Sequence, residues 1–574
     1  MTSVLGHLNE LEFAQEYRKW SSCPPRALFD APVIDAVAAD KKPIAQNITQ
    51  QARYCSALFI WTDCDREGEH IGSEIRKVAL QGNHSLEVKR ARFSNTERAH
   101  VIRAAQQAIT LDDKQVDAVA ARQELDLRLG AAFTRFTTFT LQALGPPLTK
   151  NDANGRSVPI SYDRYFKVRN FIPEEFWSIK VLHKRDSIDV AFSWRRHRLF
   201  DRAAVVILFE KCLRARIAKV IKLQKKPTSK WRPLPLTTVE LQKLGSMFLR
   251  MGSSRVMDIA EKLYQKGFIS YPRTETDQFD RGIDLRKLVE KQTQDHAWGP
   301  YAQGLLAGAF KQPRSGRYND QAHPPIHPVS YVSPASLDDD FRRVYEFVVR
   351  RFLACCSDDA KGESNTVDIQ YGDEEFHASG LIVLERNYLD VYPYDKWTSS
   401  QPLPQFRLHE TFEPSEAMIT DGQTTAPGYL TEPELISLMD ANGIGTDATM
   451  ADHIKKIQER EYVMTRSGPR AGAQQDDRNT QAARGGSVQQ FIPTTLGVAL
   501  IEGYGNIGLE TSLDKPFLRK DMEAKMRQIC AGTKTRHNFV QETLEQYLEV
   551  FMTANQRQQE LVKVIRLSKP SGWV

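Results

Sequence analysis

The chain has 574 residues, enough for several cores, because a single domain usually holds about 100–200. Lys+Arg 78 against Asp+Glu 72 gives a net charge of +6, with 41% hydrophobic and 26% charged residues. That balance is ordinary for a globular chain and admits a polyanionic partner without requiring one. The seven cysteines contain no C-x-x-C pair, which excludes a zinc ribbon or knuckle.

An odd cysteine count without framework spacing suits a reducing, intracellular compartment. Charges and prolines interrupt every apolar stretch near Met1, so no signal peptide is read there, and no apolar run reaches the length of a membrane span. The expectation is a soluble protein with no membrane partner.

In chain order, the apolar run 57–61 predicts a strand covered on both faces of an α/β layer. It leads into Asp63-Cys64-Asp65-Arg66-Glu67-Gly68-Glu69, after which Ile71, Ile75 and Val78 mark a helix. An acidic loop therefore sits where a strand hands over to a helix, the usual position of ligands in open α/β sheets. Residues 115–144, rich in Ala, Leu and Arg and free of proline until their end, predict a helix. Ile188, Val190, Phe192 and Trp194 alternate with polar or small residues, and Val367, Ile369 and Tyr371 do the same downstream, so both stretches predict half-buried strands. Between them, 226–344 is helical, with Val256, Ile259, Ala260 and Leu263 on one face. The economical arrangement is one β domain interrupted by a helical insertion, with Lys225-Lys226-Pro227-Thr228-Ser229-Lys230 as a hinge. Beyond Pro427 the pattern is helical to the end, except for a disordered loop at 465–490.

Asp63, Asp65 and Glu67 alternate, so an extended backbone aims all three carboxylates one way. Three converging carboxylates repel one another, and a hard cation such as Mg²⁺, which prefers oxygen ligands, relieves that repulsion. The competing interpretation is a solvated charge cluster at a helix start. The strand before the loop and Gly68 at its turn favour the metal site.

The segment Phe268-Ile269-Ser270-Tyr271-Pro272-Arg273-Thr274-Glu275-Thr276 carries a second chemistry. Pro272 biases Tyr271 towards an extended conformation, which puts Tyr271 and Arg273 on one side. A phenol with a pKa near 10 needs a neighbouring cation to help it ionise, and a guanidinium fork matches phosphate oxygens. Tyr beside Arg suits attack on a phosphodiester; a Tyr-Pro turn packed on a core is the alternative.

The strand, the D-x-D-x-x-G loop and the helix resemble the Toprim domain, in the form found in topoisomerase III. S-Y-P-R-T-E-T looks like the active site of the type IA DNA topoisomerases. Further stretches resemble topoisomerase III in order. They are Ala121-Arg122-Gln123-Glu124-Leu125-Asp126-Leu127-Arg128 with Phe133-Thr134-Arg135-Phe136, then Asn319-Asp320-Gln321-Ala322-His323-Pro324-Pro325-Ile326-His327-Pro328, and finally Gly443-Ile444-Gly445-Thr446-Asp447-Ala448-Thr449.

The resemblance, to the short eukaryotic alpha-like members without zinc modules, implies a multidomain α/β plus α and β fold, the type IA toroid. Its parts are a Toprim domain at 1–110, a helical base at 111–162 and 427–574, a β-rich arch at 163–225 and 345–426, and a helical domain at 226–344. It implies Tyr271 as nucleophile forming a 5′-phosphotyrosyl link, Arg273 steadying the scissile phosphate and His323 assisting. Mg²⁺ would be held by Asp63, Asp65 and Glu67, and DNA contacted by Arg122, Arg128, Arg135, Thr446 and Thr449. Solvated surface for the arginines and N-capping for the threonines are the alternatives. His323 and His327 are not read as a metal pair, because prolines separate them and no cysteine is near.

The implied activity is ATP-independent, Mg²⁺-dependent relaxation of negatively supercoiled DNA, and no G-x-x-x-x-G-K-[ST] nucleotide loop is present. The implied partners are single-stranded DNA, a RecQ-type helicase and a small OB-fold protein that together dissolve recombination intermediates in DNA repair, in the nucleus. Family members carry a strand and loop ahead of the segment that here opens Thr2-Ser3-Val4-Leu5-Gly6-His7-Leu8. That portion bears a catalytic glutamate and a proton-donating lysine with no counterpart in this chain. A second gap lies between Tyr162 and Asp163. The expectations are an incomplete Toprim sheet with exposed edges and cleavage slowed by about 10²–10⁴-fold. The alternative is a catalytically impaired scaffold subunit that binds single-stranded DNA.

Overall fold

The computed structural model describes residues 1–93, 98–142, 158–320, 322–398, 401–445, 449–468, 488–507 and 517–567. Strands β1 (Asn9–Phe13) and β2 (Val33–Val37) pair antiparallel, while β3 (Ala57–Ile60) and β4 (Glu87–Arg90) pair parallel. The two pairs form separate sheets. The run 57–61 is not covered on both faces: Phe59 is 40% and Trp61 39% exposed, while Ile60 is buried. The Arg66–Gly82 helix follows β3, as its apolar spacing predicts.

The Asp113–Gln142 helix matches the expected one over its described length. Its apolar face packs on helices Phe517–Ala531 and Arg536–Gln556, with Leu125, Phe133, Phe136, Met526 and Phe551 in one core. Phe13, Leu28, Phe29 and Ala31, from the expected Toprim region, pack into that core.

The arch is a seven-stranded antiparallel sheet. Its order is β10 (Thr411–Phe412), β7 (Ala218–Lys230), β8 (Ala360–Tyr371), β9 (Glu374–Glu385), β6 (Ile188–Trp194), β5 (Glu175–Arg185) and β11 (Glu416–Gln423). The alternating residues read in β6 and β8 are those that line its core. The expected hinge is strand instead. Lys225 to Lys230 continue β7 and pair with Asn365 to Ala360 of β8, which runs alongside them to its first residue. Pro227 is tolerated there because β10 covers β7 only at Ala218 and Lys219, leaving its far end an edge.

The Ser253–Gln265 helix buries the four apolar residues anticipated for it. Its core also takes in the Asp339–Cys355 helix through Val344, Phe347, Val348 and Phe352. Residues expected in the arch, Phe347 and Phe352 among them, thus share the core of the helical segment, and Tyr388 and Leu389 pack there too. The region after Pro427 is not wholly helical. It holds β12 (Leu430–Thr431), β14 (Val488–Pro493) and β13 (Val463–Gly468), which form a three-stranded sheet in that order. The ends of the expected 465–490 loop belong to these strands, and 469–487 lie outside the described residues.

Candidate active site

The acidic loop is built by capping. Asp65 has an extended backbone and its Oδ1 accepts from the Gly68 amide at 2.7 Å, starting the Arg66–Gly82 helix. Gly68 is required by proximity, because a Cβ there would lie 2.0 Å from the Asp63 carbonyl oxygen. Beneath the loop, the fully buried Arg90 donates to Glu69 Oε1 at 2.9 Å, to the Asp63 carbonyl at 2.5 Å and to the Ala91 carbonyl at 2.8 Å. Glu69 entered the sequence expectations only as the last residue of the acidic motif and Arg90 not at all; the helical position of Glu69, beyond the alternating acids, hid its inward direction.

The extended alternation stops at Asp65, since Glu67 already lies in the first helical turn. The three carboxylates thus do not present alike. Burial, and then the neighbouring Asp65 charge, raise the Asp63 carboxyl above its ordinary pKa. Glu67 is instead held by His7 Nε2 at 3.1 Å and by the Arg122 guanidinium. Burial pushes its pKa up, but the His7 hydrogen bond and the Arg122 charge bring it below the usual carboxylate value.

The tyrosine segment comes to this loop through the Ser253–Gln265 helix. Tyr264 on that helix donates from its hydroxyl to Asp63 Oδ1 at 3.4 Å, and its ring stands edge-on to Tyr271 at 5.2 Å. On the other side the His323 ring lies 4.5 Å from Tyr271, tilted by 38°. Arg273 donates through Nε to Glu261 Oε1 at 2.7 Å, one turn before Tyr264. Burial works against the Arg273 charge, but Glu261 and then Tyr271 keep its pKa above the ordinary value. A cavity beside it is lined by Gln242, Asp258, Glu261, Arg273 and Asp452. Glu261 and Tyr264, three residues apart on one face, were the legible signal that the sequence expectations passed over.

His323 is buried, its Nδ1 lies 3.9 Å from Asp320 Oδ2, and its Nε2 makes no hydrogen bond among the described residues. Burial opposes the Asp320 charge, yet hydrogen bonds from the His323 side chain and backbone hold its carboxyl well below the usual range. Thr274 Oγ1 donates to the same Asp320 oxygen at 3.1 Å. His327 is structural: its ring nitrogen Nδ1 donates to the Pro325 carbonyl at 2.6 Å, and burial lowers its pKa to about 4.

Two of the expected DNA contacts are engaged within the chain. Arg128 donates to the Phe29 and Ala31 carbonyls at 3.0 and 2.8 Å, and Arg135 is buried with Nη2 on the Tyr17 carbonyl at 2.7 Å. Both tie the N-terminal segment to the base helix, since unpaired carbonyls under that segment need donors. Arg122, in contrast, stands at the acidic loop. Thr449 takes the N-cap position of the Met450–Glu459 helix, and Thr446 lies outside the described residues.

An Mg²⁺ ion fits the loop on its donor chemistry. Asp63 and Asp65 offer hard oxygens, and the Asp65 charge adds to burial in raising the Asp63 carboxyl, which a cation between them would relieve.

The family described as DNA topoisomerase matches residues 110–472, and the family described as Toprim domain matches 1–96. The chain is 48% identical over 563 residues to DNA topoisomerase 3 of Schizosaccharomyces pombe, covering 97% of this chain and 88% of the relative. It is 44% identical over 561 residues to DNA topoisomerase 3-alpha of Homo sapiens, covering 96% of this chain and 53% of that protein. The fold is that of full-length topoisomerase I from Thermotoga maritima, with a TM-score of 0.69 at 21% identity, over 95% of this chain and 85% of the other. With nearly its whole length shared with topoisomerase 3 relatives, and a tyrosine segment docked on a Toprim acidic loop, the chain belongs to the type IA DNA topoisomerases, an isomerase family.

Proposed function

We propose that this chain breaks one DNA strand with Tyr271, passes a single strand through the break and reseals it, relaxing negative supercoils without ATP. The observation that carries the proposal is the chain of contacts from Tyr271 through Tyr264 to Asp63, which joins the nucleophile to the acidic loop. The Tyr271 hydroxyl gives up its proton and its oxygen attacks phosphorus as the bond to the 3′ oxygen breaks; that oxygen takes up one proton, leaving a 5′-phosphotyrosyl link and a 3′ hydroxyl. Resealing runs the same exchange backwards, so the bond energy is kept and no nucleotide is consumed. Arg273 holds the phosphate oxygens through its fork. His323, with Nε2 unengaged and its ring against Tyr271, meets the phosphate from the other side. Asp63, Asp65 and Glu67 would hold Mg²⁺, which supplies positive charge against the phosphate when bound.

Arg122, which holds Glu67 at the acidic loop, and Thr449, at the start of the Met450–Glu459 helix, would contact the strand, and Thr446 belongs to the same proposal by sequence. Topoisomerase 3 relatives support single-stranded DNA as the ligand. A RecQ-type helicase and a small OB-fold protein as partners, recombination and repair as the process, and the nucleus as the location are proposed on that kinship. Among the described residues no helix is long and apolar enough to cross a membrane.

The test is incubation of the purified chain with labelled single-stranded DNA and Mg²⁺, followed by denaturation. A covalent adduct that disappears in Tyr271→Phe supports strand cleavage. Binding without an adduct supports instead a scaffold that only holds the strand.

A further inference from the structure

A second set of ligating atoms meets on the inner side of the Arg66–Gly82 helix, apart from Asp63 and Asp65. His70 and Glu74 lie one turn apart on that helix, and His7 reaches them from the N-terminal segment, where Gly6 has a φ of +72° that lets the chain turn inward. His7 Nδ1 is 3.1 Å from Glu74 Oε1, His70 Nδ1 is 3.2 Å from the same oxygen, and the two nitrogens are 3.5 Å apart. Among the described residues this is the one gathering of three such ligand atoms within 4.8 Å of one another.

These separations have a chemical meaning. In a tetrahedral zinc site with bonds of about 2.0–2.1 Å, neighbouring ligand atoms lie about 3.3–3.4 Å apart. The three observed edges bracket that spacing. The donors are two imidazoles and one carboxylate, a set that suits Zn²⁺ and is unlike the all-oxygen surroundings Mg²⁺ prefers. The outer contacts are in place as well. Glu74 Oε2 accepts from the Leu8 amide at 2.7 Å, which fixes the carboxylate. His7 Nε2 lies 3.1 Å from Glu67 Oε2, the carboxylate behind a ligating imidazole that orients it and fixes its tautomer. Glu74 is 2% and His70 9% exposed, while the His7 side chain is 29% exposed, leaving a path for a fourth ligand from solvent.

We propose that His7, His70 and Glu74 bind a Zn²⁺-class divalent cation, with water as fourth ligand, and that the ion fastens the N-terminal segment to the helix behind the acidic loop. Glu67, which orients His7, also belongs to the proposed Mg²⁺ loop, but none of the three ligands touches Tyr271, and the proposal stands whether or not Tyr271 is the nucleophile. The ion needs neutral imidazoles, and because the hydrogen bonds to Glu67 and Glu74 raise the His7 pKa to about 9, binding displaces a proton from His7.

The test uses the full chain stripped with a chelator and titrated with Co²⁺ as a spectroscopic probe. One equivalent should produce the visible absorption of tetrahedral Co²⁺, displaced by Zn²⁺ and not by millimolar Mg²⁺. His70→Asn and Glu74→Gln should weaken binding about tenfold or more, and His84→Asn, an exposed histidine beyond the helix end, should leave it unchanged. His7→Gln, in the partly exposed N-terminal segment, provides the same readout if the helix variants fail to fold. Absence of the band, its persistence in His7→Gln and His70→Asn, or its displacement by Mg²⁺ would overturn the proposal.

Discussion

The Tyr264 hydroxyl donates to the Asp63 carboxylate at 3.4 Å across 201 residues of sequence. Two tyrosines therefore stand together at the acidic loop, with ring centroids 5.2 Å apart, and only one can serve as nucleophile. Burial, and then the Asp63 charge, push the Tyr264 phenol far above its ordinary pKa, so it stays protonated and inert. Tyr264→Phe should keep adduct formation within about tenfold of the parent, because it removes one hydrogen bond and no reacting atom. Loss of the adduct in Tyr264→Phe together with its retention in Tyr271→Phe would reverse the assignment.

Arg273 differs from a generic surface cation because its fork is preset by Glu261. Removing one preorganised donor to a transferring phosphoryl group costs about 10²–10³ in rate. Arg273→Ala should show that loss in single-turnover cleavage, and Arg273→Lys should recover only part of it, since the ammonium keeps the charge without the fork. Equal rates for the Lys variant and the parent would show that charge alone matters.

The Arg90–Glu69 pair makes a sharper claim about stability. Both side chains are buried, so removing one partner strands the other's charge at a cost of about 3–5 kcal/mol. Glu69→Gln and Arg90→Met should each lower the urea midpoint, while a Glu69→Leu/Arg90→Met double variant should lose less than either. Additive losses would mean that the two groups do not depend on each other.

His327 gives a pH dependence with a defined sign. Burial lowers its folded pKa to about 4 from 6.5, so the folded chain keeps it neutral where the unfolded chain takes up a proton. Its contribution is fully present above pH 6.5 and falls on acidification by about 1.4 kcal/mol per unit until about pH 4. Urea midpoints at pH 7 and 5 should differ less in His327→Gln than in the parent. An unchanged difference would assign the acid sensitivity to other groups.

Much of the site was legible because its chemistry is local. The Tyr271–Arg273 pair and the strand, acidic loop and helix are short-range patterns, and apolar spacing located the helix that buries Val256 and Leu263. What the sequence hid was long-range. Nothing near Arg128 or Arg135 signals that each meets carbonyls about a hundred residues away, so their charges suggested DNA. Lys225 to Lys230 have the composition of a linker and become strand only because β8 lies alongside. Glu67 alternates with Asp63 in sequence, yet the helix begins between them and delivers it to His7 and Arg122.

The most direct measurement is the polarity of the covalent link. A single-stranded oligonucleotide labelled at its 3′ end, and a copy labelled at its 5′ end, are each incubated with the chain and Mg²⁺ and then denatured. Attack by Tyr271 to give a 5′-phosphotyrosyl bond places the 3′ label on the protein and releases the 5′ label, and Tyr271→Phe shows neither. Transfer of the 5′ label, or an adduct that survives Tyr271→Phe, would contradict the account.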